Sequence, residues 1–187
     1  MRIIGGRHRG AKLADVAGNR IRPTADRVRE SIFNILSGGR YGSPLVNGIV
    51  LDLFAGTGAI GLEALSRGAA RANFVENDLA ALAIVRKNIH KLQRMDDCRV
   101  IAGDATRLVS WRGNPANLVF ADAPYGTGDG LRAVASLNAI GALLPESIAV
   151  IETGRQEELD PDILATINLK RIDSRHYGKA AVHFLAS

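Results

Sequence analysis

The segment from Ile49 to Gly68 reads IVLDLFAGTGAIGLEALSRG, and the rest of the chain can be placed around it. Its first six residues are apolar apart from Asp52 and do not alternate regularly, which is typical of a buried strand. Apolar residues then recur at helical spacing, and three glycines lie at the transition: Gly56, Gly58 and Gly61. The segment therefore predicts a strand, a tight loop and a helix, with the amides at the helix start facing a ligand.

Gly56 to Gly61 satisfies the G-x-G-x-x-G pattern, and Glu76 ends the next apolar run, where it is placed to bind ribose hydroxyls. Three interpretations fit this pattern. They are a nicotinamide-dependent dehydrogenase, a methyltransferase using S-adenosylmethionine (SAM), and a glycine turn with a purely structural role.

The length of 187 residues and the hydrophobic content of 47% predict one domain with a sizeable core. No apolar run approaches the roughly 20 residues that cross a bilayer, and the start of the chain, MRIIGGRHRG, lacks the apolar part of a signal peptide. Cys98 is the only cysteine, which excludes an internal disulfide and argues against a thiolate metal site. We therefore expect a cytoplasmic protein without metal or membrane contact, and nothing in the sequence demands more than a monomer.

The positive charge of the chain is concentrated near its amino terminus. Residues 1–44 contain nine Lys and Arg against three Asp and Glu, a net charge of +6, while residues 45–187 carry 15 basic and 16 acidic groups. Such a basic region is suited to a phosphate backbone, although an ordinary solvated surface has the same composition. Residues 1–44 are therefore predicted to form a basic extension, and residues 45–187 the main domain.

The extension itself divides into two predicted elements. Residues 2–13 suggest a small hairpin with Arg7, His8 and Arg9 at its tip. Pro23 and the capping candidate Thr24 begin a helix that ends near residues 37–39.

Beyond the glycine loop, strands and helices alternate. We expect strands at 71–76, 99–101, 118–121 and 148–152, and helices at 79–92, 131–144 and 156–164. This alternation predicts a parallel sheet covered on both faces, with ligands at the carboxyl ends of the strands.

The end of the chain departs from the alternation. Two strand-like runs, 167–175 and 180–186, are joined only by His176-Tyr177-Gly178-Lys179, which predicts an antiparallel hairpin. A mostly parallel, seven-stranded α/β sheet closed by an antiparallel C-terminal strand is the Rossmann-like arrangement of SAM-dependent methyltransferases. It favours methyl transfer over hydride transfer.

Polar groups follow four of the predicted strands, and the last group is Asp122-Ala123-Pro124-Tyr125. It resembles the [DN]-P-P-[YF] motif of methyltransferases that modify amino groups of bases, with Ala123 where proline is usual. Together with RPTADRVRESIFNIL (residues 22–36) and LDLFAGTGAIGLEALSRGA (51–69), it makes nearly the whole chain resemble the RsmD family, which methylates N2 of a guanine in small-subunit (16S) ribosomal RNA.

The resemblance implies the following roles. Asp122 and the carbonyl of Ala123 would hold the amino hydrogens of a flipped-out guanine, in a loop that includes Pro124, and Tyr125 would stack on the base. SAM would be bound by residues of the strand ends and of the extension: Asp52, Phe54, Gly56, Thr57, Gly58, Glu76, Asn77, Asp104, Ala105 and Thr24. The RNA, naked or within the small ribosomal subunit, would contact Arg22 and Tyr125, and the basic charge of the hairpin adds Arg7 and Arg9 as predicted phosphate contacts.

Other functions remain as alternatives. The same chemistry could act on an amino group of DNA or of a protein glutamine, although the chain has no separate domain for recognising a DNA sequence. A non-catalytic RNA-binding relative would keep the fold without turnover, and Ala123 is the only hint of it. An NAD-dependent oxidoreductase is the last alternative.

Overall fold

A computed structural model describes the backbone of residues 1–15 and 23–186, and the side chains of these ranges except those of residues 23–25. The strands in this part of the chain are β1 (Ile49–Leu53), β2 (Arg71–Glu76), β3 (Cys98–Ala102), β4 (Ala116–Asp122), β5 (Leu143–Gly154), β6 (Lys170–Tyr177) and β7 (Ala180–Ala186). They form one sheet in the order β3-β2-β1-β4-β5-β7-β6. Strands β1 to β5 pair in parallel, and β7 runs antiparallel to both of its neighbours. The predicted α/β sheet is confirmed.

Helices cover both faces of the sheet. They are α1 (Pro23–Ser37), α2 (Ala59–Ser66), α3 (Leu79–Lys91), α4 (Asp129–Ala139) and α5 (Pro161–Thr166). Apolar residues of α1, α2 and α3 share one buried cluster with Phe74 and Phe120 of the sheet, while α4 packs in a second cluster with Leu51 and Ile151. In the described ranges, no helix is long and apolar enough to cross a membrane.

The order of the strands reverses between β1 and β4. From this point β2 and β3 follow on one side and β5 on the other. In open α/β sheets the crevice at such a reversal, outside the carboxyl ends of the strands, is where ligands bind. The topology therefore predicts a ligand site at the loops after β1, β2, β3, β4 and β5.

The start of the chain forms the predicted small hairpin: the N–H groups of Ile3 and Leu13 donate across it to the carbonyls of Ala11 and Met1, both at 3.0 Å. Arg2 and Lys12 form a single isolated β-bridge. The backbone N–H groups of Ile4 and Gly5 also donate to the buried carboxylate of Glu63 on α2, at 2.7 and 2.8 Å. These two bonds hold the hairpin against α2. The segment packs along α2, and its residues Ile3 and Leu13 join the same hydrophobic core as α1.

Two helix boundaries differ from the prediction. Helix α4 ends at Ala139 because Gly141 takes a φ of +70° and β5 already begins at Leu143. Helix α5 begins only at Pro161, since the Asp160 side chain accepts hydrogen bonds from the second and third N–H groups after it. Residues 156–160 form the connection from β5.

Candidate active site

Four carboxylates lie on one face of the sheet near the carboxyl ends of four adjacent strands. In the register of the sheet, Asp52 pairs with both Phe74 and Phe120, and Asp122 pairs with Glu152. Paired residues and residues two positions apart point to the same face. The face is the one covered by α1, α2 and α3, and the four acids are Asp52 on β1, Glu76 on β2, Asp122 on β4 and Glu152 on β5.

A cavity of about 780 Å³ opens above these strand ends. This volume is within the usual range for small-molecule sites. Eight of the predicted site residues line it: Phe54, Glu76, Asn77, Asp104, Asp122, Ala123, Pro124 and Tyr125. Four further residues complete the lining, and the sequence had not marked them: Thr106, Arg107, Asp129 and Glu152. The structure thus brings four of the predicted cofactor residues and the predicted catalytic loop into one space.

Glu76 joins the glycine loop to the end of β2. Its Oε2 accepts from the N–H of Gly56 at 2.8 Å, and its Oε1 accepts from the N–H groups of Asn77 and Asp78 at 2.8 and 2.9 Å. Three donors therefore fix the carboxylate while it still lines the cavity. An acid held in this way can accept from the two hydroxyls of a ribose without having to reorganise.

The glycine loop turns through backbone conformations that side chains rarely adopt. Gly56 has a φ of +54°, and Phe54, which lines the cavity, has a φ of +58°. Such a conformation costs a non-glycine residue of order 1–3 kcal/mol and is found most often at functional sites. A Cβ on Gly56 would meet no atom closer than 4.0 Å, whereas one on Gly58 would lie 2.5 Å from Val85. Gly58 therefore permits α2 to pack closely on its neighbours.

Several predicted cofactor residues lie behind the cavity wall rather than in its lining. Asp52 is only 2% exposed and accepts from the N–H of Gly61 at 2.9 Å, which fixes the start of α2. Gly56, Thr57, Gly58 and Ala105 are also outside the lining residues.

The buried amide of Asn88 supports the loop from behind. It donates to the carbonyl of Thr57 at 2.9 Å and to that of Ala14 at 3.0 Å, and it accepts from the N–H of Ala14 at 2.7 Å. These bonds tie the glycine loop to the end of the N-terminal segment. Sequence reasoning missed Asn88, although a polar residue beside Val85 and Ile89 on an apolar helix face was a visible signal.

The loop after β4 contains Ala123 and is held by the side chain of Glu157. Glu157 accepts from the N–H groups of Gly126, Gly128 and Gly154, at 2.8, 3.3 and 3.1 Å. One carboxylate thereby connects the loop to the end of β5. Ala123 itself is 6% exposed, so its position is fixed by packing as well.

Asp122, Glu152 and Tyr125 form a polar group at the mouth of this loop. The Tyr125 hydroxyl donates to Oε1 of Glu152 at 2.6 Å. Loss of hydration, followed by the nearby charge of Glu152, raises the pKa of Asp122 to about 7. Desolvation also raises the pKa of Glu152, and the hydrogen bond from Tyr125 opposes this shift. Two neighbouring carboxyl groups with raised pKa values are stabilised by a ligand that donates hydrogen bonds or carries positive charge. The site is therefore suited to a ligand of that kind.

At the third strand end, Asp104 caps a short 3-10 helix. Its Oδ1 accepts from the N–H and the hydroxyl of Thr106, at 2.9 and 2.7 Å. These bonds lower the pKa of Asp104, so the group is a charged acceptor at neutral pH. Together with Glu76 it offers the acceptors that a ribose and an adenine amino group require, and this set fits SAM.

The structure places Arg7 and Arg9 away from the cavity. The backbone N–H of Arg7 donates to the carbonyl of Ser66, at the end of α2, at 2.7 Å. Helix α2 begins at the glycine loop and has eight residues, about 12 Å of rise. The tip of the N-terminal segment is thus near the opposite edge of the sheet. Arg22 and the side chain of Thr24 lie outside the described residues.

The buried Asp52 makes the stability of the fold depend on pH. Burial raises the pKa of this carboxyl from 3.8 to about 8, against the effect of its bond from Gly61. Between these values the folded state holds a proton that the unfolded state has lost, so the free energy of unfolding falls as the pH rises. We expect Asp52→Asn to reduce this slope by up to about 1.4 kcal/mol per pH unit between pH 5 and 7.

Urea unfolding at several pH values measures the effect. The exposed Asp96, replaced by asparagine, is the matched control and should keep the wild-type slope. A wild-type slope in the Asp52 variant would contradict a raised pKa at this site.

The position of β7 between β5 and β6 separates this fold from the dinucleotide-binding dehydrogenases, in which the last strands are parallel. The Asp122–Tyr125 loop also opens into the same cavity as Glu76. These features define the class of SAM-dependent methyltransferases.

Comparison with known proteins gives the family. The chain belongs to the family described as conserved hypothetical protein 95, the RsmD family, whose model matches residues 1–186. Ribosomal RNA small subunit methyltransferase D of Escherichia coli strain K12 is 38% identical over 171 residues, which cover 91% of this chain and 83% of the relative. The solved structure of Escherichia coli yhhF, 35% identical, superposes with a TM-score of 0.81 over 100% of this chain and 97% of the other. A SAM-dependent methyltransferase of Aquifex aeolicus shares the fold at 14% identity, with a TM-score of 0.62 over 88% of this chain and 93% of the other.

Proposed function

We propose that the protein transfers a methyl group from SAM to the exocyclic N2 of a guanine in small-subunit ribosomal RNA. The observation that carries this proposal is the convergence of the Asp122 carboxylate, the Ala123 backbone and the Tyr125 ring on the cavity that also contains Glu76. The relative from Escherichia coli, named as a ribosomal RNA small subunit methyltransferase, supports RNA as the substrate.

The amino group of a base is a weak nucleophile because its lone pair is delocalised into the ring. The carboxylate of Asp122 and the carbonyl of Ala123 accept the two amino hydrogens, which directs the lone pair toward the methyl group. When bound, SAM would supply that methyl group on a positively charged sulfur. As N2 took the methyl group from the sulfur it would become an ammonium, and Asp122, which accepts one of the amino hydrogens, would take the proton that N2 then loses.

The target base has to leave its stack to reach this site. Tyr125 is 48% exposed at the cavity mouth and offers a ring on which the extruded base can stack. Such stacking is worth roughly 1–3 kcal/mol per base in nucleic-acid complexes. The bond from its hydroxyl to Glu152 fixes the orientation of the ring before the base arrives.

A second cavity, of about 480 Å³, begins at Tyr125 and continues along the turn between β6 and β7. Arg155 and Lys179 line it. The N–H of Arg155 donates to the carbonyl of Lys179 at 2.8 Å, and its guanidinium donates to the carbonyl of Gly178 at 3.2 Å. We assign these two cations to phosphates beside the target nucleotide, and Arg7 and Arg9 to phosphates farther along the RNA.

Removing either pair should weaken RNA binding and flatten its salt dependence. For Arg155→Ala with Lys179→Ala, and separately for Arg7→Ala with Arg9→Ala, we expect the slope of log K against log salt to fall by about 1.5. The measurement is RNA binding at several salt concentrations. Arg86→Ala with Lys87→Ala, an exposed pair on α3, is the matched control. An unchanged slope would show that this pair of cations is solvated in the complex and does not contact phosphates.

The test of function offers methyl-labelled SAM with four acceptors: undermethylated small ribosomal subunits, the RNA stripped from them, genomic DNA and a protein extract. The proposal predicts label in the RNA, as subunits or as stripped RNA. Label in DNA or protein would instead support the same chemistry on another amino group. SAM binding without transfer to any acceptor would favour a non-catalytic RNA-binding relative.

A further inference from the structure

We infer that Glu152 recognises the N1–H of the target guanine, and that it thereby selects guanine over bases whose equivalent ring nitrogen is an acceptor. This inference rests on the proposed function, and it assigns the base specificity of the same site to a residue that neither the glycine loop nor the Asp122–Tyr125 motif contains.

The position of Glu152 follows from the sheet. It pairs with Asp122 across β4 and β5, so the two carboxylates leave the same face of adjacent strands, roughly 4.8 Å apart at the backbone. Both residues line the cavity. A base whose amino group is held by Asp122 therefore presents the neighbouring atoms of its edge toward Glu152.

One oxygen of Glu152 remains for such a contact. Tyr125 donates to Oε1, at 2.6 Å. Within the described part of the chain, Oε2 receives no hydrogen bond. The carboxylate is thus fixed by the residue proposed to stack on the base, and its second oxygen remains available at the cavity that Glu152 and Asp122 both line.

The chemistry of the base edges then determines selectivity. Guanine carries a donor at N1 beside the donors of its N2 amino group. Adenine and cytosine carry an acceptor beside their amino groups. Asp122 and the Ala123 carbonyl can accept from any of these amino groups, but a carboxylate at Glu152 attracts the N1–H of guanine and repels a ring nitrogen with a lone pair.

The test uses the small-subunit RNA with either guanine or 2-aminopurine at the methylated position, once that position has been mapped with labelled SAM. 2-Aminopurine keeps the N2 amino group and has an acceptor at N1. The wild-type protein should prefer guanine by about 5- to 150-fold in kcat/KM, the ratio that corresponds to roughly 1–3 kcal/mol of base discrimination. Glu152→Gln can donate to the acceptor, so its preference should fall at least about fivefold.

Glu146→Gln is the matched control, because Glu146 lies on the same strand but is exposed at its opposite end. It should keep the wild-type preference. Tyr125→Phe is a second variant that leaves Glu152 in place but removes its donor, and it should lower the preference by a smaller factor. Binding of S-adenosylhomocysteine shows whether each variant is folded.

The outcomes separate this inference from the proposed function. An unchanged preference in Glu152→Gln, including the failure of both proteins to methylate 2-aminopurine, would overturn the role of Glu152 while leaving guanine methylation intact. Failure of the wild-type protein to methylate any RNA would instead overturn the proposed function, and the inference with it.

Discussion

Replacing Asp122 with alanine should lower kcat for methyl transfer by about 10²–10³-fold and leave SAM binding within about threefold of wild type. The carboxylate is one of two acceptors that orient the attacking amine, and removing one preorganised partner of a transition state typically has an effect of this size. SAM binding should persist because Glu76 and Asp104 lie at the ends of other strands. Asp122→Asn keeps an acceptor oxygen and should lose less activity.

The pH dependence of kcat/KM tests the role of Asp122 in a second way. Because the pKa of Asp122 is about 7, the acceptor is protonated below neutrality. For the wild-type protein, kcat/KM should rise with pH through about 7, and Asp122→Asn should remove this step. Labelled-methyl assays across pH 5.5–8.5, with SAM binding by calorimetry, make the comparison. Asp96→Ala, at an exposed site remote from the cavity, should behave as wild type. Full activity of Asp122→Ala would exclude the proposed mechanism.

Replacing Glu76 with glutamine should weaken SAM binding by roughly 10²–10⁴-fold. Two hydrogen bonds from ribose hydroxyls to a charged group are each worth about 1.5–3 kcal/mol. The amide of glutamine also cannot accept at both ends, so it loses part of the three backbone bonds that join Gly56, Asn77 and Asp78. The glycine loop should loosen for the same reason.

Calorimetric titration with S-adenosylhomocysteine measures this loss directly. Asp129→Asn is the matched control: Asp129 lines the same cavity and is paired with Arg132 at 2.6 Å. We expect its affinity to stay within about threefold of wild type. Equal losses in the two variants would show that any reduction of negative charge weakens binding, and that Glu76 has no specific contact with the ribose.

The local part of this fold was accessible from the sequence. The apolar runs of β1 and β2 and the amphipathic pattern of α3 depend on residues that are close together in the chain, and β2 has the predicted bounds Arg71–Glu76. The errors occurred at helix ends, where a single backbone conformation or a side-chain cap decides. Gly141 ends α4 through a positive φ, and the side chain of Asp160 fixes the start of α5.

The residues of the site divide in the same way: those that a local motif marks were predicted, and those that depend on distant contacts were missed. Glu76, Asp104 and Asp122 follow recognisable strands or motifs, so the sequence predicted them, and they line one cavity. Glu152 and Glu157 were missed because their importance depends on pairing across the sheet and on the path of another loop. The register of β4 and β5 places Glu152 beside Asp122. Glu157 binds three N–H groups that two loops bring together. No pattern around residues 150–158 reveals either contact.

The central claim is methyl transfer to N2 of a guanine, and the most direct measurement identifies the labelled nucleoside. Undermethylated small subunits and their stripped RNA are incubated with methyl-labelled SAM and either the wild-type protein or Asp122→Ala, and the RNA is then digested to nucleosides. The account predicts label in N2-methylguanosine with the wild-type protein and almost none with the variant. Label in any other nucleoside, or no label from a wild-type protein that binds SAM, would contradict it.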